Sequence, residues 1–126
     1  MLPRKLSPLT KKARRGFRGY PLATVAFYGP NRNSASKVAV GIVPREGAEP
    51  EVLERWFNVD HDVRRDMTIN RDVVAFIERH RVKSVVMTDG IIGCPHEEGT
   101  DYREGGVCLQ CPFWAGRDRW SGEFMH

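Results

Sequence analysis

The sequence contains few cysteines, no long apolar run and no acidic residue near its start. The first two features each exclude a class of protein. No stretch of about 18 consecutive apolar residues occurs, so a transmembrane helix is not expected and the membrane is not a predicted partner. The opening residues also lack the apolar segment of a secretory signal peptide. Three cysteines are too few, and odd in number, for a disulfide scaffold. These absences predict a cytoplasmic protein.

The length and composition predict a single domain. The chain has 126 residues, of which 40% are hydrophobic and 29% charged, which is enough for one modest core. Within that domain the sequence indicates three parts. These are a basic arm over residues 1–19, an α/β core over 20–90, and a zinc-binding segment over 91–126 that packs on the core.

Positive charge is concentrated in the arm. Residues 1–19 contain seven basic side chains and no acid, and subtracting them from the chain's 20 basic residues leaves 13 against 16 acids. Because the arm has few apolar residues, we expect it to be disordered. Flexible cations suit phosphates, so RNA or DNA is the predicted partner, with a solubility tail as the alternative. The predicted phosphate-binding residues of the arm are Arg4, Lys5, Lys11, Lys12, Arg14, Arg15 and Arg18.

The core pattern predicts an α/β (α+β) fold built on a small sheet. Leu22–Tyr28 and Lys37–Val43 are rich in β-favouring residues and flank eight turn formers, which predicts an antiparallel hairpin. Pro50–Phe57 has apolar residues at helical spacing and predicts a short helix. A second helix is expected to begin at an Asn70 cap, followed by a further strand over Ser84–Thr88.

The clearest motif lies in the glycine-rich last part of the chain, which is expected to be irregular. It reads C-x-H, then 11 residues, then C-x-x-C. Four soft or borderline ligands at this spacing fill a tetrahedral Zn²⁺ shell of the closed, structural kind. The predicted metal ligands are Cys94, His96, Cys108 and Cys111.

Two other metal chemistries compete with structural zinc. Part of the motif resembles the Rieske pattern of an iron–sulfur cluster, although Cys111 stands where that pattern needs histidine. The run from His96 through Glu98 to Cys108 also resembles the zinc deaminase signature, with a gap too short for that fold. No phosphate loop, nucleophile elbow or triad spacing occurs, so no catalytic residue is assigned and an enzyme is the less favoured class.

Aromatic and basic residues alternate after the last cysteine. Such interleaving can stack bases and contact phosphates, so Arg117, Arg119 and Trp120 complete the predicted nucleic-acid-binding set. The alternative is a protein-interaction adaptor that presents Phe113 and Trp114 to a partner.

The stretches FRGYPLATVAFYG and CPHEEG…CxxCPFWAGRDRW resemble a family of short, uncharacterised bacterial proteins. The resemblance covers about residues 16–120 and implies an intracellular bacterial protein with a metal-ligand tail. It implies no activity and therefore no catalytic residue.

Overall fold

The computed structural model describes residues 7–125, so Arg4 and Lys5 of the predicted arm lie outside the described part. Within these residues the helices and strands are α1 (Pro8–Arg14), β1 (Leu22–Tyr28), β2 (Lys37–Val43), β3 (Val52–Phe57), α2 (Met67–Arg79) and β4 (Ser84–Ile91). The strands form one sheet in the order β3-β2-β1-β4, with β1 parallel to β4 and antiparallel to β2. This arrangement confirms the predicted α+β fold.

The core lies between one face of the sheet and α2. Side chains alternate along β1, so Val25 and its neighbours two residues away point into the core, opposite Val40 and its neighbours on β2. α2 contributes Phe76 and Ile77, both almost fully buried. The opposite face of β1 carries smaller, half-buried side chains such as Thr24 and Ala26.

The predicted hairpin is confirmed with the predicted bounds. β1 and β2 pair in continuous register from Leu22 opposite Val43 to Tyr28 opposite Lys37. Gly41 within β2 marks a close approach, because a Cβ there would lie 3.0 Å from Thr24 Oγ1.

The helix predicted over Pro50–Phe57 is wrong, because these residues form the edge strand β3. The apolar side chains of β3 lie on both faces of the strand. Val52 and Trp56 pack on the core, while Leu53 lies exposed on the other side. A helix of this length is marginal by itself, whereas pairing with β2 gives hydrogen-bond partners to the backbone groups on the inner side of the strand from Val52 to Phe57. Tertiary pairing therefore decides the structure of this segment.

α2 begins earlier than the sequence pattern indicated. Its N-cap is Asp66, whose side chain accepts a hydrogen bond from Ile69 N at 3.0 Å, so Asn70 lies inside the helix instead of capping it. The segment before α2 contains a short 3₁₀ helix (Val63–Arg65) that buries Val63.

β4 continues past Thr88, the predicted end of this strand, to Ile91. The register with β1 shifts between Val25 and Phe27, so extra residues of β4 are absorbed there as an irregularity. The Thr88 hydroxyl accepts a hydrogen bond from Phe27 N at 3.3 Å and donates one to Gly90 O at 2.9 Å. These bonds compensate for the interrupted hydrogen-bond ladder between β1 and β4, and the strand continues to Ile91.

The arm also differs from the expected disordered segment. Within it, α1 starts at a Ser7 cap that accepts a hydrogen bond from Thr10 N at 3.1 Å. The helix lies beside α2 and β4 and buries Leu9 in the common core. A single well-placed leucine therefore anchors a segment whose composition alone favours disorder.

Candidate metal centre

Backbone hydrogen bonds beyond the end of β4 position the chain at the first predicted ligand, Cys94. Ile92 N donates to Phe27 O at 2.9 Å, and Gly93 O accepts from Gly29 N at the same distance. These bonds extend the contact with β1 beyond the end of β4 and hold Cys94 beside the edge of the core.

The four predicted ligand residues converge on one point, at which they could hold a metal ion. Nδ1 of His96 lies 3.1 Å from Sγ of Cys94 and 3.5 Å from Sγ of both Cys108 and Cys111. All four ligand atoms lie within 4.8 Å of one another. Cys108 and Cys111 are buried, while Cys94 and His96 are half-buried.

The thiolate forms of these cysteines, which bind metals, are disfavoured in this environment without a cation. Burial raises the pKa of the Cys94 thiol, and the neighbouring Cys111 and Cys108 raise it further, with a partial offset from the hydrogen bond donated by His96 N. Burial also raises the pKa of Cys111. A bound divalent ion reverses this preference, because its charge stabilises the thiolates directly.

Lys37 and Arg55 clamp the first ligand pair to the sheet. The side chain of Lys37 is only 5% exposed, and its Nζ donates to Pro95 O at 3.0 Å and lies 3.4 Å from a Glu97 carboxylate oxygen. Arg55 Nη2 on β3 donates to the other oxygen at 2.8 Å. Partial burial of Glu97 opposes ionisation, but these two cations outweigh it and hold its pKa below the ordinary range.

Sequence reasoning missed this clamp. Glu97 lies in an acidic stretch between the ligand pairs and is the counter-ion of a buried lysine. The signal was a lysine at the first position of an otherwise apolar β-strand, because a buried cation requires a partner.

The second ligand pair is held by the residues that follow it. Cys111 N donates to Cys108 O at 3.3 Å, which closes the C-x-x-C turn, and a short 3₁₀ helix (Pro112–Trp114) follows. Trp114 packs on the core, and its indole Nε1 donates to Gly29 O at 2.8 Å in the loop between β1 and β2. Both ligand pairs are thus tied to the sheet.

Arg117 is engaged within the protein. Its guanidinium lies 4.3 Å from the centre of the Phe113 ring and 3.9 Å from that of Phe124, and it donates to Gly122 O at 2.8 Å. Arg119 is exposed and lines, with Arg117 and the three cysteines, a cavity of about 200 Å³ beside the candidate metal centre.

The cations of the arm between residues 7 and 19 do not form one surface. Lys12 pairs with Glu78 of α2 at 3.4 Å, and Lys11 faces the groove between α1 and α2. Arg14 lines a different groove, between α1 and β4, and Arg15 and Arg18 are exposed.

Trp120, the remaining predicted nucleic-acid contact, lies at the rim of a groove of about 690 Å³ over β1 and β4. Its side chain is 68% exposed.

Searches against protein-family models, curated proteins and solved structures find no significant match to this chain. Within residues 7–125, no helix combines the length and the apolar character needed to cross a bilayer.

Proposed function

We propose that this protein binds one structural Zn²⁺ through Cys94, His96, Cys108 and Cys111, and that it is a nucleic-acid-binding module. The observation that carries the zinc proposal is the mutual distance of the four ligand atoms. In a tetrahedral site with Zn–S of about 2.3 Å and Zn–N of about 2.0–2.1 Å, sulfur and nitrogen are about 3.5 Å apart. The three sulfur–nitrogen distances of 3.1, 3.5 and 3.5 Å fit this arrangement.

The same distances favour zinc over the two competing metal chemistries. A two-iron cluster takes its ligands in pairs on two separate irons, whereas these four atoms surround one point. A zinc hydrolase needs a coordination position open to water, and four protein ligands fill a tetrahedral shell. Glu98, the residue of the deaminase pattern, accepts instead from Gly105 N at 3.3 Å. A closed site has a structural role.

Nucleic acid is the partner that the free charges favour. Within residues 7–125, no ion pair engages Arg14, Arg15 or Arg18, although Lys12 is paired. Exposed arginines and an exposed tryptophan on the same protein suit phosphates and bases. The adaptor alternative has less support, because Trp114 already donates to Gly29 O and Phe113 is covered by Arg117. The proposed compartment is the cytoplasm, where free thiols persist.

Metal analysis of the purified protein tests the zinc proposal. We expect one zinc per chain and, after replacement by Co²⁺, the absorption of a tetrahedral cobalt–thiolate centre. Iron together with a visible iron–sulfur absorption, or a protein that holds no metal at all, would contradict it.

The salt dependence of oligonucleotide binding tests the partner. Binding should weaken steeply with salt, and joint replacement of Arg14, Arg15 and Arg18 by serine should flatten the log–log slope by about 0.7 per lost contact with a single strand. Substitution is preferable to deletion of the arm, because Leu9 belongs to the core. Absence of binding to both RNA and DNA at low salt would remove nucleic acid as the partner.

A further inference from the structure

Two grooves flank the exposed part of β4 and together form one surface. The first, of about 690 Å³, lies over β1 and β4 and reaches Trp120. The second, of about 410 Å³, lies between β4 and α1 and reaches Phe17. Both are lined by residues 86–89, so they meet on the strand itself. We call this continuous region the β4 surface.

Large apolar side chains stand exposed along the β4 surface. Phe17 is 66% exposed at one end, Trp120 is 68% exposed at the other, and Val86 between them is 55% exposed. On β1 the floor of the first groove is made of small side chains, Thr24 and Ala26, which leave room for a flat ring. Exposed aromatic rings at both ends of one groove system are the arrangement on which bases stack.

The ring of Trp120 is presented by a rigid turn. Asp118 Oδ1 accepts from Trp120 N at 2.9 Å and from Ser121 N at 2.8 Å, and Gly122 N donates to Asp118 O at 2.7 Å. Gly122 adopts a φ of 75°, and a Cβ there would lie 2.8 Å or less from three atoms of the Arg32 side chain. The turn therefore fixes the backbone from which the Trp120 side chain projects, and the absence of a side chain at Gly122 lets Arg32 approach it closely.

The charge of the β4 surface is positive. Arg14 lines the second groove and Arg32 the first, and neither belongs to an ion pair among the described residues. Asp89 is the acidic residue that lines both grooves, which leaves one net positive charge. Two cations beside exposed apolar side chains suit the phosphates and bases of a nucleic acid better than they suit an apolar peptide.

We propose that the β4 surface binds single-stranded nucleic acid, with bases stacked on Trp120 and Phe17 and phosphates contacted by Arg14 and Arg32. This inference rests on the proposed function and specifies where in the molecule, and on which form of nucleic acid, it acts. A duplex keeps its bases stacked on one another and cannot offer them to these rings, so single strands are the expected ligand.

Binding of fluorescein-labelled dT12 and U12 to the full-length, zinc-loaded protein tests the stacking contacts. We expect Trp120→Ala and Phe17→Ala each to weaken binding by about 5- to 150-fold, the range for loss of one base–aromatic stack, without changing the salt slope. Trp120→Phe should retain most of the affinity. Phe57→Ala is the matched control, because Phe57 is similarly exposed on β3, at the opposite edge of the sheet.

Loss of a charged contact should change the salt dependence of binding as well as the affinity, unlike loss of a stacking contact. Arg14→Ser and Arg32→Ser should each weaken binding and reduce the salt slope by about 0.7, whereas Asp89→Asn should strengthen binding because it removes a charge that repels phosphate. Arg71→Ser, on the exposed side of α2 and outside the β4 surface, should change neither quantity. The melting temperature of each variant identifies any loss of folding.

The outcomes separate this inference from the proposed function. Oligonucleotide binding that is lost in the Arg15→Ser and Arg18→Ser variants but unaffected at Trp120 and Phe17 would overturn the β4 surface and leave nucleic-acid binding standing. No binding to either oligonucleotide would overturn both. Equal affinity for a 12-base-pair duplex would also overturn the inference, whereas a preference for U12 over dT12 would support it and identify RNA as the ligand.

Discussion

The sheet with its two helices and the segment that follows it are stabilised in different ways. The sheet buries a continuous apolar cluster that includes Val25, Val40, Phe76 and Ile77. In residues 92–125, the buried hydrophobic residues are Ile92 and two of the candidate metal ligands, Cys108 and Cys111. The first region is held by the hydrophobic effect, and the second by polar contacts around a candidate metal centre.

This difference implies that the two regions respond to different perturbations. Bonds from Lys37, Arg55 and Trp114 attach the second region to the first at its two ligand pairs. Between and after these attachments the chain exposes large apolar side chains, including Leu109 and Trp120. A metal that joins the ligand pairs would replace the core that this region lacks.

Removal of a metal ligand should have the largest effect and should be confined to the second region. Cys108→Ser, or a chelator, should unfold residues 94–125 while the sheet remains, because zinc supplies about 10–16 kcal/mol in small zinc-folded domains. Hydrogen exchange should show loss of protection after Gly93 and retained protection in β1 and α2.

Leu109→Ser is the control for this prediction, since Leu109 lies between two ligands and is 91% exposed. Equal protection in the wild type with and without chelator would show that the two regions do not differ in this way.

A core substitution should produce the opposite pattern. Ile77→Ala should lower the free energy of unfolding by about 2–5 kcal/mol, and Ile77→Val by about 0.5–1.5 kcal/mol, because each removes buried methyl groups from a side chain that is 2% exposed. Denaturant unfolding measures both values. Zinc stoichiometry of the folded protein should stay unchanged, and loss of zinc in Ile77→Val would indicate that the regions fold as one unit.

Breaking the clamp between the two regions should have an intermediate effect. Glu97→Gln leaves Lys37 buried without its counter-ion, but Glu97 is 38% exposed, so screening reduces the expected cost to about 1–2 kcal/mol. Thermal melts at neutral pH measure it. Glu98→Gln, which alters the next residue and no ion pair, should melt like the wild type, and equal destabilisation of the two variants would contradict the clamp.

The smallest effect on stability is expected for the ion pair between Asp62 and Arg64, which lies in the sheet region. Partial burial raises the pKa of Asp62, but hydrogen bonds from Arg64 outweigh it and hold the pKa below its ordinary 3.8. A lowered carboxyl pKa stabilises the folded state above the unfolded value, and this contribution is lost as pH falls through the folded value. Asp62→Asn keeps an oxygen that can accept from Arg64 N, but it removes the charge and the second oxygen, which accepts from Arg64 Nη2.

Urea unfolding of both proteins from about pH 7 to about pH 3 should therefore show a difference of about 1 kcal/mol or less at neutral pH that shrinks in acid. A difference that grows in acid would be inconsistent with the Asp62–Arg64 pair.

Local sequence determined the features whose information lies within a few residues. The hairpin follows from two β-favouring segments around a run of turn formers, and its predicted bounds match β1 and β2. The candidate metal-ligand set follows from the C-x-H and C-x-x-C spacing. Two residues that are two or three positions apart in a turn can direct both ligand atoms to one point.

Only the tertiary structure decided the features that depend on distant partners. Leu53 and Trp56 have the spacing of one helix face, and pairing with β2 nevertheless selects a strand that places them on opposite faces. Leu9 orders α1 because α2 and β4 offer it a buried site. Lys37 meets Glu97, 60 residues away, because the ligand segment folds back on the sheet. In each case the stabilising contact joins segments far apart in sequence, and no local pattern contains that information.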